Sequence, residues 1–144
     1  MSAAPVEIRL GAEIVSQPYV LDAAAAAAYG EGIESPRRST SRRSIHDDKD
    51  AARDAGFVAP IAAGEQTIAV IAQFLADNFG TRFVRGGRIE VALTKPVLFG
   101  DTLTSRARVE RLIDDERAEL DIRVENQRGE DVLVGSAMVR TREA

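Results

Sequence analysis

The chain has 144 residues, of which 44% are hydrophobic, so it can bury one core of ordinary domain size. It contains no cysteine and a single histidine, which excludes disulfides and thiolate chemistry and disfavours a metal site. The net charge of −4 and the aromatic content of 5% argue against nucleic-acid binding. Since no apolar run reaches membrane-spanning length and residues 1–6 lack a secretory signal, we expect no membrane partner and a cytoplasmic location. One domain over residues 1–144 is predicted.

The N-terminal part is predicted to contain a strand followed by a helix. Val6 to Val20 alternates apolar and polar residues around Gly11 and is typical of a strand. The alanine-rich stretch Leu21 to Tyr29 favours a helix, and Asp22 is placed to cap it.

A basic insert comes next, at about residues 34–44. It has no aliphatic or aromatic residue and no periodicity, which is typical of an exposed loop or a disordered segment. Structure is expected to resume at Ile45, where Asp47 or Asp48 can cap a short helix that runs to Gly56.

The most informative segment is Phe57 to Gly80, where a turn containing proline leads through Gly64 into a nearly all-apolar helix. Apolar residues recur at spacings of three and four, which predicts a helix buried over most of its surface: Ile68, Ile71, Ala72, Leu75 and Phe79, with Val70 and Phe74 beside them. Backbone N–H groups of a first helical turn have no partners within the helix, and the helix dipole adds positive charge there. Because Gly64 has no side chain, a substrate carbonyl can approach those groups closely.

The C-terminal half is predicted to be strands separated by turns. The alternating segments are Arg88–Leu93, Leu103–Ile113, Ala118–Glu125 and Val132–Val139, with Gly100-Asp101, Asp114-Asp115 and Arg128-Gly129 in the turns. Long antiparallel strands after one buried helix predict an α+β fold in which a strongly curved sheet wraps around the helix.

Three groups of residues resemble the single-domain MaoC-like dehydratases of the hotdog-fold group, which includes (R)-specific enoyl-CoA hydratases. They are Ser44 to Asp48 with Ala52 and Ala55 to Phe57; Ala59 to Gly64; and Pro96-Val97 with Gly100 to Leu103, Val124 to Gln127 and Gly129. The resemblance implies an antiparallel sheet around a central helix and a domain that pairs with a second hotdog chain. It also implies an acyl thioester of coenzyme A or of acyl carrier protein as substrate, with no other cofactor.

The family's chemistry needs an aspartate and a histidine that hold one water beside the substrate double bond. It also uses a backbone N–H at the start of the central helix to stabilise the enolate-like thioester oxygen. By resemblance, His46 matches the histidine and Gly64 the helix start, with Ala63 and Glu65 beside it. His46 can equally be a surface histidine, and Glu65 can be a base near the substrate or an ordinary first-turn acid.

The sequence departs from the family where the aspartate is expected. Ser41 stands five residues before His46, and Arg43-Ser44 replaces the usual Asn-Pro. A second alignment, through Gly32 to Pro36, also lacks the aspartate. Glu34, with Glu31 as the alternative, is then the candidate carboxylate, provided that the loop folds back.

The insert carries four guanidinium groups within seven residues, on Arg37, Arg38, Arg42 and Arg43. Guanidinium matches phosphate geometry, so contacts with the phosphates of coenzyme A or with an acidic carrier protein are one interpretation, and a solvated loop is the other.

The leading hypothesis is a hydratase or dehydratase of enoyl or 3-hydroxyacyl thioesters, hence a hydro-lyase. One alternative is a noncatalytic subunit that shapes the tunnel of a heteromeric dehydratase, and another is a thioesterase or cyclase. A homodimer, or a heterodimer with a related hotdog chain, is expected because an exposed sheet edge is usually covered.

Overall fold

The computed structural model describes residues 6–25, 28 and 44–143. Residues 23–25 are helical, and the Asp22 carboxylate accepts a hydrogen bond from the Ala25 N–H at 2.8 Å, so the predicted cap of the alanine-rich helix is confirmed. The further elements, in chain order, are β1 (Glu13–Val15), β2 (Tyr19–Val20), α1 (Lys49–Asp54), α2 (Gly64–Phe79), α3 (Thr81–Val84), β3 (Arg88–Leu93), β4 (Thr102–Leu112), β5 (Arg117–Glu125) and β6 (Asp131–Arg140).

The strands form an antiparallel sheet in the order β1-β4-β5-β6-β3, and β2 also pairs with β4. The long pairings follow from the alternation of apolar and polar residues, which lets each strand bury one face. In β4 the buried positions are every second residue from Leu103 to Val109. The edge strand β3 pairs with β6 along one side only among the described residues.

Helix α2 packs against the sheet and contacts β3, β4, β5 and β6. Ile71 and Leu75 are fully buried, and they join the buried side chains of the strands in one apolar core. The predicted α+β arrangement is therefore confirmed, together with the burial of these two residues.

One detail of the sequence prediction is wrong. The single strand predicted over Val6 to Val20 is only the short pair β1 and β2, because Gly11 adopts a left-handed φ of +79° and turns the chain before β1. Helix α2 is buried or half-buried over most of its surface, as predicted, and only Glu65, Gln73 and Asp77 are exposed, along one side.

A cluster of charged side chains ties the β5–β6 hairpin to the segment after β3. The Glu130 carboxylate accepts hydrogen bonds from Lys95, from Arg128 Nε at 2.6 Å and from Asn126 Nδ2 at 3.3 Å. These three donors favour the ionised carboxylate, and they lower the pKa of Glu130 from 4.5 to about 2.

The cluster predicts how stability responds to acid. Because the folded-state pKa of Glu130 is depressed, its stabilising contribution is fully present above pH 4.5 and is lost as the pH falls toward about 2. We expect Glu130→Gln to melt below wild type at neutral pH and the gap in melting temperature to close on acidification through this window. Thermal melts across that pH range measure it. Glu7→Gln is the control, since Glu7 is exposed and has no ion-pair partner among the described residues. A gap that does not change with pH would contradict the prediction.

Candidate active site

His46 lies in a tight turn that precedes α1. Its N–H donates to Ser44 Oγ at 3.2 Å, and the Asp48 N–H donates to the Ser44 carbonyl at 2.9 Å. The Asp48 carboxylate caps α1 by accepting from the Ala51 N–H at 2.8 Å, which confirms one of the two predicted caps. Asp47 instead accepts from the Ser44 N–H at 3.3 Å, so it closes the turn.

The His46 ring is held against the segment that leads into α2. Its Nδ1 lies 2.8 Å from the Ile61 carbonyl oxygen, and the Ile61 N–H donates to the Ile45 carbonyl at 3.1 Å. A carbonyl oxygen can only accept, so Nδ1 carries the hydrogen in this bond, and in the neutral imidazole Nε2 then has the free lone pair. The ring is exposed, and it therefore presents a hydrogen-bond acceptor to solvent or to a ligand.

Ile61 is also the residue that fixes the turn before α2. It forms an antiparallel bridge with Leu98, and the neighbouring Ala62 N–H donates to the Val97 carbonyl at 2.8 Å. The Phe99 N–H in turn donates to the Pro60 carbonyl at 3.1 Å. Residues 60–62 are thus hydrogen-bonded to His46 and its neighbour on one side and to residues 97–99 on the other.

The start of α2 is open at its N-terminus. Ala63 is the N-cap residue and offers no side-chain acceptor, and no group among the described residues accepts from the N–H of Gly64 or Glu65. A Cβ on Gly64 would lie 2.7 Å from Leu93 Cδ1, so a larger residue there would require the half-exposed Leu93 side chain to move. The Glu65 side chain is exposed in the first turn, where its charge complements the helix dipole.

Several predicted site residues lie outside the described residues. They are Glu34, its alternative Glu31 and the four arginines of the insert, Arg37, Arg38, Arg42 and Arg43. Within the described part of the chain no carboxylate pairs with the His46 ring, and Asp47 and Asp48 are occupied by backbone N–H groups. The Nε2 atom of His46 is therefore available to bind a water or a substrate.

Asp101 stabilises the turn that pairs with Ile61. It is buried, and its carboxylate accepts from the Leu98 N–H at 2.9 Å and from Gln127 Nε2 at 2.8 Å. Gln127 also accepts from the Thr102 N–H at 3.0 Å. These residues hold the turn at 98–101 that pairs with Ile61, and Gly100 in that turn has a left-handed φ of +99°. The motif from Gly100 to Gln127 thus positions the site through the backbone.

A groove of about 700 Å³, the α2 groove, runs beside the helix between its less covered side and the first strands. Its apolar lining includes Val15, Tyr19, Leu21, Val70 and Phe74, and its polar lining includes Gln66 and Ser105. Neither polar residue is among the site residues predicted from the sequence. The available signal was a polar residue at an otherwise apolar position, Gln66 in the first turn of α2 and Ser105 in the buried alternation of β4.

No helix among the described residues combines the length and hydropathy needed to cross a bilayer. No group of three or more histidine, aspartate or glutamate side chains in the described ranges is arranged to hold a metal ion.

The family described as MaoC like domain matches residues 37–130. A search of curated protein sequences finds no match.

Solved structures share the fold. The (R)-hydratase PhaJ1 of Pseudomonas aeruginosa, unliganded, is 22% identical with a TM-score of 0.76, over 95% of this chain and 84% of that one. A MaoC-like dehydratase from Rhodospirillum rubrum is 25% identical with a TM-score of 0.70, and the match covers 95% of this chain and 94% of that one. The ChsH1–ChsH2 complex of Mycobacterium tuberculosis contains a chain that is 16% identical with a TM-score of 0.72, and the match covers 93% of this chain and 98% of that one.

These likenesses confirm the predicted hotdog fold, in which the antiparallel sheet packs around α2. Because the family match extends over more than half of the sequence, the chain belongs to the family of MaoC-like dehydratases.

Proposed function

We propose that the protein is a hydratase or dehydratase that acts on an enoyl or 3-hydroxyacyl thioester of coenzyme A or acyl carrier protein. One observation carries the proposal. The His46 ring is hydrogen-bonded to Ile61, three residues before the unpaired N–H groups at the start of α2. A proton acceptor and an oxyanion donor are therefore built on adjacent, mutually bonded segments.

The reaction follows from these two groups. In the hydration direction, His46 Nε2 takes a proton from water while the water oxygen forms a bond to the β-carbon of the enoyl chain. The electron pair of the double bond moves toward the thioester carbonyl, whose oxygen gains negative charge and is stabilised by the Gly64 N–H. A proton is then delivered to the α-carbon, which completes the 3-hydroxyacyl product. Dehydration is the same path in reverse.

The α-carbon proton requires an acid, and His46 can return the proton that it took from water. In the family this work is shared with an aspartate, and Glu34 is our candidate for that carboxylate in this chain. Two groups with separate proton-transfer roles would give a bell-shaped dependence of kcat/KM on pH. Ala63 and Glu65 flank the oxyanion position, and the proposed chemistry uses no metal or further cofactor.

The arginine insert is our candidate for the segment that binds the charged end of the thioester. Arg37, Arg38, Arg42 and Arg43 would contact the phosphates of coenzyme A or an acidic carrier surface, because guanidinium forms paired hydrogen bonds with phosphate oxygens. This assigns the polar end of the substrate to the side of the chain that leads into His46.

A second candidate function is a noncatalytic subunit that pairs with an active hotdog chain. It is favoured by one observation, that no described carboxylate pairs with the His46 ring. The likeness to a chain of the two-protein ChsH1–ChsH2 complex is consistent with such pairing. A thioesterase or cyclase would use the same oxyanion position with a different nucleophile.

His46→Ala tests the proposed catalytic base. The variant should lose about 10²- to 10⁴-fold in kcat for hydration of a 2-enoyl-CoA, since that is the usual contribution of a general acid or base. The measurement is the fall in enoyl-thioester absorbance, with folding checked by thermal melting.

Asn is the informative second substitution at this position. His46→Asn keeps a donor for the Ile61 carbonyl but has no basic lone pair, so it should remain as inactive as the alanine variant. Equal turnover in wild type and His46→Ala would make the histidine structural. If neither shows turnover and a second chain with a complete Asp/His pair co-purifies, the noncatalytic-subunit function replaces the proposal.

The arginine insert is tested by replacing all four residues with alanine. At low salt the variant should show a raised KM for a CoA thioester and little change for the matching pantetheine thioester, which lacks the nucleotide phosphates. The matched control removes four exposed arginines elsewhere, Arg9, Arg53, Arg85 and Arg142, for the same change in net charge. Unchanged affinity in the insert variant, or an equal loss in the control, would rule out the phosphate role.

The open edge of β3 leads to a prediction about assembly. Its outer backbone groups have no partner among the described residues, and Leu93 at its end is 48% exposed, so we expect this edge to be covered by a second hotdog chain. Light scattering at micromolar concentration should give at least twice the chain mass of 15.5 kDa. A particle of single-chain mass would contradict it, and mass spectrometry of the purified complex separates a homodimer from a heterodimer.

A further inference from the structure

Two side chains brace the turn that pairs with the segment before α2. The Asp101 carboxylate is only 3% exposed, and it accepts from the Leu98 N–H at 2.9 Å through one oxygen and from Gln127 Nε2 at 2.8 Å through the other. Gln127 Oε1 accepts from the Thr102 N–H at 3.0 Å. A backbone N–H can only donate, so this bond orients the Gln127 amide with its NH2 group toward Asp101. The two side chains, the Asp101–Gln127 pair, thus form one directed set of hydrogen bonds.

The pair holds Leu98 more firmly than the turn alone requires. The turn is already closed by the backbone bond from the Asp101 N–H to the Leu98 carbonyl at 3.0 Å. The buried carboxylate has lost hydration, which is unfavourable unless hydrogen bonds compensate, and it adds a second bond across the same turn. Leu98 is therefore fixed through both its N–H and its carbonyl group, which leaves it little freedom to shift.

The position of Leu98 reaches His46 through two layers of backbone contacts. Leu98 forms an antiparallel bridge with Ile61, and two flanking backbone hydrogen bonds of 2.8 and 3.1 Å hold this bridge. On its other side, the Ile61 carbonyl accepts from His46 Nδ1 at 2.8 Å. Because that carbonyl can only accept, it selects the tautomer with the hydrogen on Nδ1 and leaves Nε2 as the acceptor. A displacement of the turn would move the carbonyl that makes this selection.

We propose that Asp101 and Gln127 are positioning residues for His46: their hydrogen bonds hold the turn at 98–101 so that the Ile61 carbonyl selects the reactive tautomer of the histidine. The inference rests on the proposed function, since it concerns the orientation of the proposed base. Neither side chain of the pair is hydrogen-bonded to the His46 ring among the described residues, so the effect passes through the backbone.

The test reverses the direction of one hydrogen bond. In Asp101→Asn the new amide keeps an oxygen for the Leu98 N–H, but its NH2 group then faces the NH2 group of Gln127. Gln127→Glu alone places two carboxylates against each other, and like charges repel. The double variant, Asp101→Asn with Gln127→Glu, again sets a donor opposite an acceptor and keeps an acceptor for the Thr102 N–H. It also leaves the net charge beside Arg128 unchanged.

The His46 ring supplies a readout that needs no turnover. His46 is the single histidine of the chain, so the nitrogen-15 spectrum of protein labelled in histidine reports this ring alone. In alkaline solution, where histidine side chains are neutral, the shifts of the two ring nitrogens give the tautomer ratio. Wild type should be mainly protonated at Nδ1. Each single variant should move the ratio about fivefold toward Nε2–H, the effect of weakening one neutral hydrogen bond, and the double variant should restore it.

A hydration assay gives the second readout. Both single variants should lose about 10- to 100-fold in kcat for a 2-enoyl-CoA, the range expected when a catalytic group is misplaced. KM should change little, because the proposed role of the pair involves no contact with substrate. The double variant should recover most of the loss in kcat.

Arg82→Met is the control for a loss that is only structural. Arg82 is 6% exposed and donates to the Val6 carbonyl at 3.0 Å, just beyond the C-terminal end of α2. Its replacement should lower the melting temperature and leave both kcat and the tautomer ratio of His46 unchanged. Gln127→Ala is the milder variant of the pair, since Gln127 lies at an exposed position of the hairpin, and it should shift the ratio in the same direction as Asp101→Asn.

The proposal is overturned if Gln127→Ala and the single variants keep the wild-type tautomer ratio, or if the folded double variant fails to restore it. The two readouts also separate this proposal from the proposed function. Hydration that is unaffected by the single variants removes the positioning role alone. A tautomer ratio that depends on the pair, in a protein without hydration, removes the hydratase and leaves the control of the His46 tautomer in place.

Discussion

The arrangement of the whole site depends on three consecutive backbone residues, Pro60 to Ala62, that are hydrogen-bonded on both sides. The segment around His46 bonds to Ile61 from one side, and residues 97–99 bond to this stretch from the other. A short irregular segment that is partly buried between elements needs partners for its N–H and C=O groups, and these bonds supply them. They also determine where α2 begins, and hence where its unpaired N–H groups point.

The two sides of α2 lie in different surroundings. One side of the helix is buried against the sheet through Ile71 and Leu75, and this burial stabilises the fold through removal of apolar surface from water. The other side borders the α2 groove, which is lined by both apolar and polar side chains, Gln66 and Ser105 among the polar ones.

The charged residues divide into positioning and surface roles. Asp101 is buried and bonded to Leu98 and Gln127, so it contributes to the geometry of the site. On the sheet, ion pairs such as Arg111–Glu119 at 2.5 Å are exposed, and pairs of this kind contribute little to stability because water and salt screen them. Within the site, the helix dipole supplies partial positive charge at Gly64. The His46 tautomer leaves Nε2 as a hydrogen-bond acceptor.

The sequence by itself determined the strands of the C-terminal half, the long helix and the burial of Ile71 and Leu75, because strict periodicity leaves one face for the core. It also indicated His46 and Gly64, through residue types that match a family motif. Only the tertiary structure decided that His46 Nδ1 bonds the Ile61 carbonyl, that Asp101 braces the turn at 98–101, and that Gln66 and Ser105 face one groove. Those contacts join residues far apart in the chain, and local pattern carries no information about which distant backbone groups will meet.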